Sequence, residues 1–182
     1  MRHTNVLKID QGFTLPEVMT VVVIVGILAA FAAPGFLAWN QRKQMDAAIS
    51  NVEGAIKEAQ RQAMAKSREC NVSFTAPSTT PLRISSSNGC LVTGTRTLEN
   101  IRQMQVSIDD SSFPTTATSL NLFSHTGQNM NASPVTVVLT HSGNTNLRKC
   151  VVVSSPLGLI GTGEYRGTSG TISARCVHRN TI

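Results

Sequence analysis

From Val18 to Trp39 the chain runs for 22 residues without a charge, dense in Val, Ile, Leu, Ala and Phe. At 1.5 Å per residue this predicts a helix about 33 Å long, enough for the roughly 30 Å hydrocarbon core of a bilayer. Past that run the pattern becomes amphipathic. Met45, Ile49, Val52, Ile56, Ala59 and Ala63 recur at alternating steps of four and three residues, a single helical stripe, with Cys70 on the same face. Between them Arg42, Lys43, Lys57, Arg61, Lys66 and Arg68 mix with Asp46, Glu53, Glu58 and Glu69, which reads as a solvated face of both signs. The stripe is too short for a coiled coil and suits a helix lying on a sheet. One helix is therefore expected from near Phe13 to near Arg68, about 80 Å long if unbroken. Gly26 and Pro34 are its weak points, because Pro34 leaves the Ala30 carbonyl without a backbone donor and crowds it.

After Cys70 the helical period stops, and short alternating runs separated by Gly, Pro, Ser and Asn begin. They predict strands at Val72–Thr75, Leu82–Ser85, Met104–Ile108, Ser119–Phe123, Val135–Thr140, Cys150–Ser154 and Thr171–Val177. The fold class is α+β, a long N-terminal helix packed on antiparallel β structure. The segment 109–118 reads as an ordinary polar loop. The chain divides into a leader, 1–12, an apolar helix, 13–40, an amphipathic helix, 41–70, and a β-rich domain, 71–182.

Composition narrows the functions. Hydrophobic residues make up 41% of the 182 and charged residues 14%, which excludes an intrinsically disordered chain. Aromatics are only 4%, too few for a stacking platform on single-stranded nucleic acid. The apolar run is about twice the length of a secretory h-region, and no A-x-A site follows it, so a cleaved signal peptide fits poorly. Instead Trp39-Asn40-Gln41-Arg42-Lys43 follows, like a membrane-interface anchor.

Ahead of the run stands Gly12-Phe13-Thr14-Leu15-Pro16-Glu17-Val18-Met19. This resembles the processing site of type IV prepilins and type II secretion pseudopilins. The resemblance implies cleavage between Gly12 and Phe13 by a prepilin peptidase on the cytoplasmic side, then N-methylation of Phe13. Glu17 matches the family's acid at the fifth mature position and Pro34 its helix-loosening proline. Pro16 replaces the commoner Ile or Val, which a first helical turn tolerates. Independently, a carboxylate at membrane depth costs a few kcal/mol unless paired, which marks Glu17 as functional. The resemblance supplies a partner, the Phe13 amine of a neighbouring subunit, and makes residues 13–39, with Gly26 and Pro34 as loosening points, the segment buried on assembly. The rival reading is a Glu17 that lies at headgroup level.

The body resembles one branch, the H-type pseudopilins and the FimT/FimU minor pilins, in Glu58-Ala59-Gln60-Arg61-Gln62-Ala63, in Phe123-Ser124-His125-Thr126-Gly127 and in Cys150-Val151-Val152-Val153-Ser154-Ser155-Pro156-Leu157-Gly158. The implied protein is a non-catalytic subunit of a type IV pilus or a type II secretion pseudopilus. It would be held in the bacterial inner membrane with its C-terminal domain in the periplasm, its partners being other pilins. Some FimT-like members bind DNA through a C-terminal loop carrying G-R-x-R. The nearest match is Gly163-Glu164-Tyr165-Arg166, with an acid where the first Arg should be. Arg148, Lys149, Arg166, Arg175 and Arg179 nevertheless outnumber Glu164 beyond residue 111, and on one face they would attract a polyanion. The favoured reading is that they keep a low-charge domain soluble.

Four cysteines in an exported domain suggest two disulfides, with three connectivities open. Cys70–Cys90 with Cys150–Cys176 is favoured. A hairpin of 150–154 with 171–177 would set Cys150 opposite Cys176 and Val152 opposite Ala174. Its connection, 155–170, carries five Gly, but their spacing fits no phosphate loop. With no C-x-x-C and no His at ligand spacing near a Cys, no metal is expected. His3, His125, His141 and His178 are scattered, and no cofactor or catalytic constellation is predicted.

Overall fold

The computed structural model describes residues 12–75, 81–86, 88–113, 118–167 and 169–178. The chain divides into two compact units at Asn40/Gln41. A single helical element, α1, covers Leu15–Ala65 and belongs to both. Within it no single straight stretch is long and apolar enough to cross a membrane; Leu15–Phe31 and Gly35–Ala65, bent at the break between them, qualify together. The break contains Pro34, where the missing backbone donor places it.

In the second unit the helical stripe is the core. Met45, Val52, Ile56, Ala59 and Ala63 are wholly buried and Ile49 nearly so. Among the described residues nine strands follow, in two antiparallel sheets. The first holds β1 (Cys70–Phe74), β2 (Leu82–Ser85), β3 (Arg96–Leu98) and β5 (Thr118–Phe123), in the order β3-β2-β1-β5. The second holds β4 (Ile101–Ser107), β6 (Val135–His141), β7 (Arg148–Val153), β8 (Ile160–Tyr165) and β9 (Cys176–His178), in the order β4-β6-β7-β8-β9.

The second sheet is covered on both faces, which explains why β6 is buried along its whole length. Val135, Val137, Leu139, Val151 and Val153 join the helix core. The alternate residues Val138, Cys150 and Val152 form a second cluster with Cys176, closed by Phe113 and Tyr165. Phe113 meets Tyr165 edge to face, centroids 6.4 Å apart. The segment 109–118, expected to be an ordinary polar loop, therefore has a structural role in its described part. The Asp110 carboxylate accepts hydrogen bonds from the Ser173 backbone N–H and hydroxyl, each at 2.6 Å, and so holds the C-terminal segment against the sheet. Beside it, the Ser111 hydroxyl and the backbone N–H groups of Ser112 and Ser111 hold the Asp109 carboxyl well below the usual carboxylate range.

Both favoured disulfides are present, with Cα separations of 5.7 Å for Cys70–Cys90 and 5.9 Å for Cys150–Cys176. The hairpin proposed for the second is wrong. β7 pairs with β8, and β8 with β9, so Cys150 faces Gly163, Cys176 faces Tyr165 and Val152 faces Gly161 rather than Ala174. Residues 155–170 are thus not one loop, and 171–175 form turns rather than a strand. The bridge reaches over an intervening strand. That is feasible because cross-strand partners share a face, and β8 carries Gly161 and Gly163 on the crossed face, where no side chain stands in the way.

One charge of the supposedly solvated helical face is buried. Burial pushes the Glu58 carboxyl up, but the Thr93 N–H (3.0 Å), the Thr93 hydroxyl (2.9 Å) and the Arg96 guanidinium (2.6 Å) outweigh it, holding Glu58 below its ordinary range. This pair fixes α1 to the start of β3. His141, also buried, accepts the Gly143 N–H at Nδ1, so Nε2 is the protonated nitrogen and donates to Gln44 on the helix.

Two expectations follow. Gly163→Val places a branched side chain under the crossing bridge, so alkylation and mass measurement on the unreduced chain should find Cys150 and Cys176 as free thiols. Arg96→Met should lower unfolding stability at neutral pH by about 3 kcal/mol, since Glu58 is left buried without its cation. Because the folded Glu58 titrates below its unfolded value, its contribution is present above that value and lost as pH falls through the folded one. Denaturation of the two chains should therefore differ less near pH 3 than at pH 7.

Candidate processing and assembly site

The residues of the expected cleavage site open the helix. The Thr14 carbonyl accepts from Glu17 N (3.1 Å) and Val18 N (3.2 Å), which makes Thr14 the start of the first turn. Pro16 sits inside that turn, where its missing donor costs nothing, and its carbonyl accepts the Thr20 hydroxyl at 2.8 Å. Gly12 and Phe13 precede the turn and are exposed, Phe13 by 83%. A side chain at Gly12 would meet no atom of the described residues within 4 Å. Steric crowding among the described residues therefore does not require glycine there. Glu17 is the only acid of the first turn, at the positive end of the helix dipole. With Phe13, Val18, Val21 and Val22 it lines a shallow hollow of about 250 Å³.

Every large apolar side chain from Val18 to Phe31 is at least half exposed. A monomeric soluble protein rarely shows an apolar surface that continuous. Gly26 lies within it, and a side chain built there would also meet no atom of the described residues within 4 Å.

The three body segments that resemble the H-type and FimT/FimU proteins lie apart in sequence and meet at one side chain. The Gln60 amide donates to the Gly127 carbonyl at 2.8 Å and to the Gly158 carbonyl at 3.0 Å. Gly158 has φ +69°, and a Cβ on it would stand 2.5 Å from the Gly127 oxygen. The two loops are also joined by Asn129, whose N–H donates to the Pro156 carbonyl at 3.0 Å and whose amide donates to the Val153 carbonyl at 3.2 Å. This junction carries the chain from β5 of one sheet to β6 of the other. Sequence alone gives the motifs but not their meeting point, since an amide on a polar helix face carries no signal of two carbonyl partners.

Of the five cations weighed as a basic face, Arg148, Lys149 and Arg166 come together. They line a cleft of about 400 Å³ together with Arg42, Asp46, Glu164 and Tyr165. Lys149 is paired with Asp46 and Arg166 with Glu164. Arg175 is not among the lining residues but donates to the Tyr165 hydroxyl at 3.4 Å, and Arg179 lies outside the described residues. By sequence Arg42 belongs to the solvated helical face; only the fold brings it to β7 and β8. Among the described residues no group of three His, Cys, Asp or Glu could hold a metal ion.

Comparison with known proteins agrees with the geometry. The family description "Prokaryotic N-terminal methylation motif" matches residues 7–33. A fimbrial protein of Pseudomonas aeruginosa is 30% identical over 150 residues, 82% of this chain and 90% of its own. The type IV major fimbrial protein FimA of Dichelobacter nodosus is 46% identical over 47 residues, 26% of this chain and 29% of its own. The type IV major pilin protein PilE1 of Neisseria gonorrhoeae is 48% identical over 46 residues, 25% of this chain and 28% of its own. No solved structure matches at a significant level. With the methylation motif laid over the exposed first turn and a relative matched along most of both chains, this chain belongs to the type IV pilin superfamily.

Proposed function

We propose that the chain is a non-catalytic minor pilin. Its leader is removed between Gly12 and Phe13 by a prepilin peptidase, Phe13 is N-methylated, and residues 13–40 hold it in the inner membrane with the second unit in the periplasm. It then enters a type IV pilus, within the shaft or at the tip. The observation that carries this is the apolar run of α1, which its own chain leaves uncovered while placing one acid, Glu17, at the head of it. A bilayer covers such a run before assembly, and the corresponding runs of neighbouring subunits cover it afterwards. Glu17 pairs with the Phe13 amine of a neighbour, which removes the cost of a lone carboxylate at membrane depth.

The minor rather than major assignment rests on the junction at Gln60. It assembles the three segments by which the body resembles the FimT/FimU group, so that resemblance describes one folded locus rather than scattered matches. The same group includes the H-type pseudopilins of type II secretion, which makes a pseudopilus the second reading.

Pilus counts on a strain lacking the gene separate the readings. Loss of pili, restored by the intact gene, identifies an assembly-priming minor pilin, whereas normal piliation with impaired exoprotein release identifies a pseudopilin. In the same strain Glu17→Ala should be cleaved normally and enter sheared filaments at a level reduced about tenfold or more, as expected when a pairing of a few kcal/mol is lost. Undiminished incorporation removes the pairing role. Gly12→Ala should leave the chain at precursor size on a gel, because the specificity at that position belongs to the peptidase and the exposed site itself imposes no glycine.

A further inference from the structure

We propose that the cleft around Arg42 is a docking site for the phosphate headgroup of an anionic lipid. This rests on the reading of residues 13–40 as a membrane anchor. Chain connectivity places the site. Arg42 follows Trp39, the last residue of the uncharged run, by three residues, about 5 Å of helical rise. The fold of the second unit then brings Arg148, Lys149 and Arg166 to Arg42 from β7 and the end of β8. Connectivity therefore keeps Arg42, and the cluster gathered on it, within reach of the level where headgroups begin.

Its internal pairing is incomplete. Asp46 takes Lys149 and Glu164 takes Arg166, leaving four cations against two carboxylates. The helical neighbour that could neutralise Arg42 by proximity, Asp46, is engaged from the other side. Arg148 is exposed and spends its Nε on the Thr145 carbonyl at 3.1 Å, and among the described residues no hydrogen bond engages its terminal nitrogens. The Arg166 side chain is paired yet 70% exposed, and Tyr165 lines the same cleft. Guanidinium groups grip phosphate oxygens bidentately, which suits a headgroup phosphodiester. The location is also against expectation for a translocated flank, since Lys and Arg concentrate on the cytoplasmic side of a span. A lipid phosphate compensates that excess of charge.

Trp39 is the only tryptophan of the chain and adjoins the cleft in sequence, so it reports on the lipid beside it. The full chain is reconstituted in phosphatidylcholine vesicles containing a minority of phosphatidylglycerol, with bromine carried on one lipid or the other. Quenching of Trp39 then gives the relative affinity of the two lipids. The expected result is a preference for phosphatidylglycerol of about threefold to fivefold. It should fall to none in Arg148→Gln/Arg166→Gln and persist in Arg148→Lys/Arg166→Lys. It should be unchanged in Arg83→Gln/Arg102→Gln, two exposed cations on β2 and β4 away from the cleft. Equal quenching by both lipids overturns the inference while leaving the anchor intact. Quenching by neither means that the run does not insert, and the anchor reading fails with it. A preference abolished by inorganic phosphate or by a duplex oligonucleotide at matched ionic strength reassigns the cleft to a soluble polyanion and overturns the lipid site.

Discussion

An apolar helix that its own chain leaves bare constrains everything else in this molecule. Lipid tails and the apolar helices of other subunits are about equally good surroundings for Val, Ile, Leu and Phe, so moving this run from a bilayer into a filament gains little from the hydrophobic effect itself. What differs between the two settings is the polar group that travels with the run. Glu17 at the head of the helix is costly in hydrocarbon when alone and inexpensive when paired. In the proposed assembly the apolar residues thus hold the subunit in whichever medium it occupies, and the single acid decides between them.

The second unit has to remain folded while that transfer takes place, and its architecture is suited to this. The helix core is shared by two sheets, and the sheets are linked where Gln60 and Asn129 join the loops 124–131 and 154–159. The far face of the second sheet is closed independently, by Asp110 holding Ser173, by Phe113 on Tyr165 and by the Cys150–Cys176 bridge. Glu58 with Arg96, and His141 with Gln44, fasten the helix at two further points. The polar fastenings among these are buried or half-buried and hydrogen-bonded, the condition under which such groups specify one arrangement rather than weakening it.

What the sequence reveals and conceals follows from where the physics is local. The helical stripe is legible because burial repeats with the helix period, and all six of its expected members lie in the core. β2 is legible for the same reason at period two. β8 is not, because Ile160–Tyr165 contains two glycines and owes its strand conformation to the ladders on either side rather than to propensity. Its omission led to a hairpin that the chain does not form, although the disulfide inferred from that hairpin exists. The buried Glu58 and the role of Asp110 escape for a related reason. A charge on a polar face and an Asp-Asp-Ser-Ser loop look solvated until the partners, forty and sixty residues away, are placed (Arg96 at 38, Ser173 at 63).

The two ends of the apolar run oppose each other in the proposed cycle. At its head Glu17 lacks a partner in the membrane and finds one in the filament. Beyond its tail, Arg42 with Arg148 and Arg166 finds phosphate at the membrane surface and must give it up to leave. Pairing of Glu17 favours departure and headgroup binding favours retention, so the net bias is the difference of two terms of similar origin. Replacing the cations of the cleft should then ease extraction rather than hinder it, the opposite of the effect of replacing Glu17. A subunit that resists extraction until its amine and carboxylate are both engaged is less prone to leave the bilayer unpaired. That selectivity comes from the placement of charge at either end of the helix, since the apolar surface between them is indifferent to the choice.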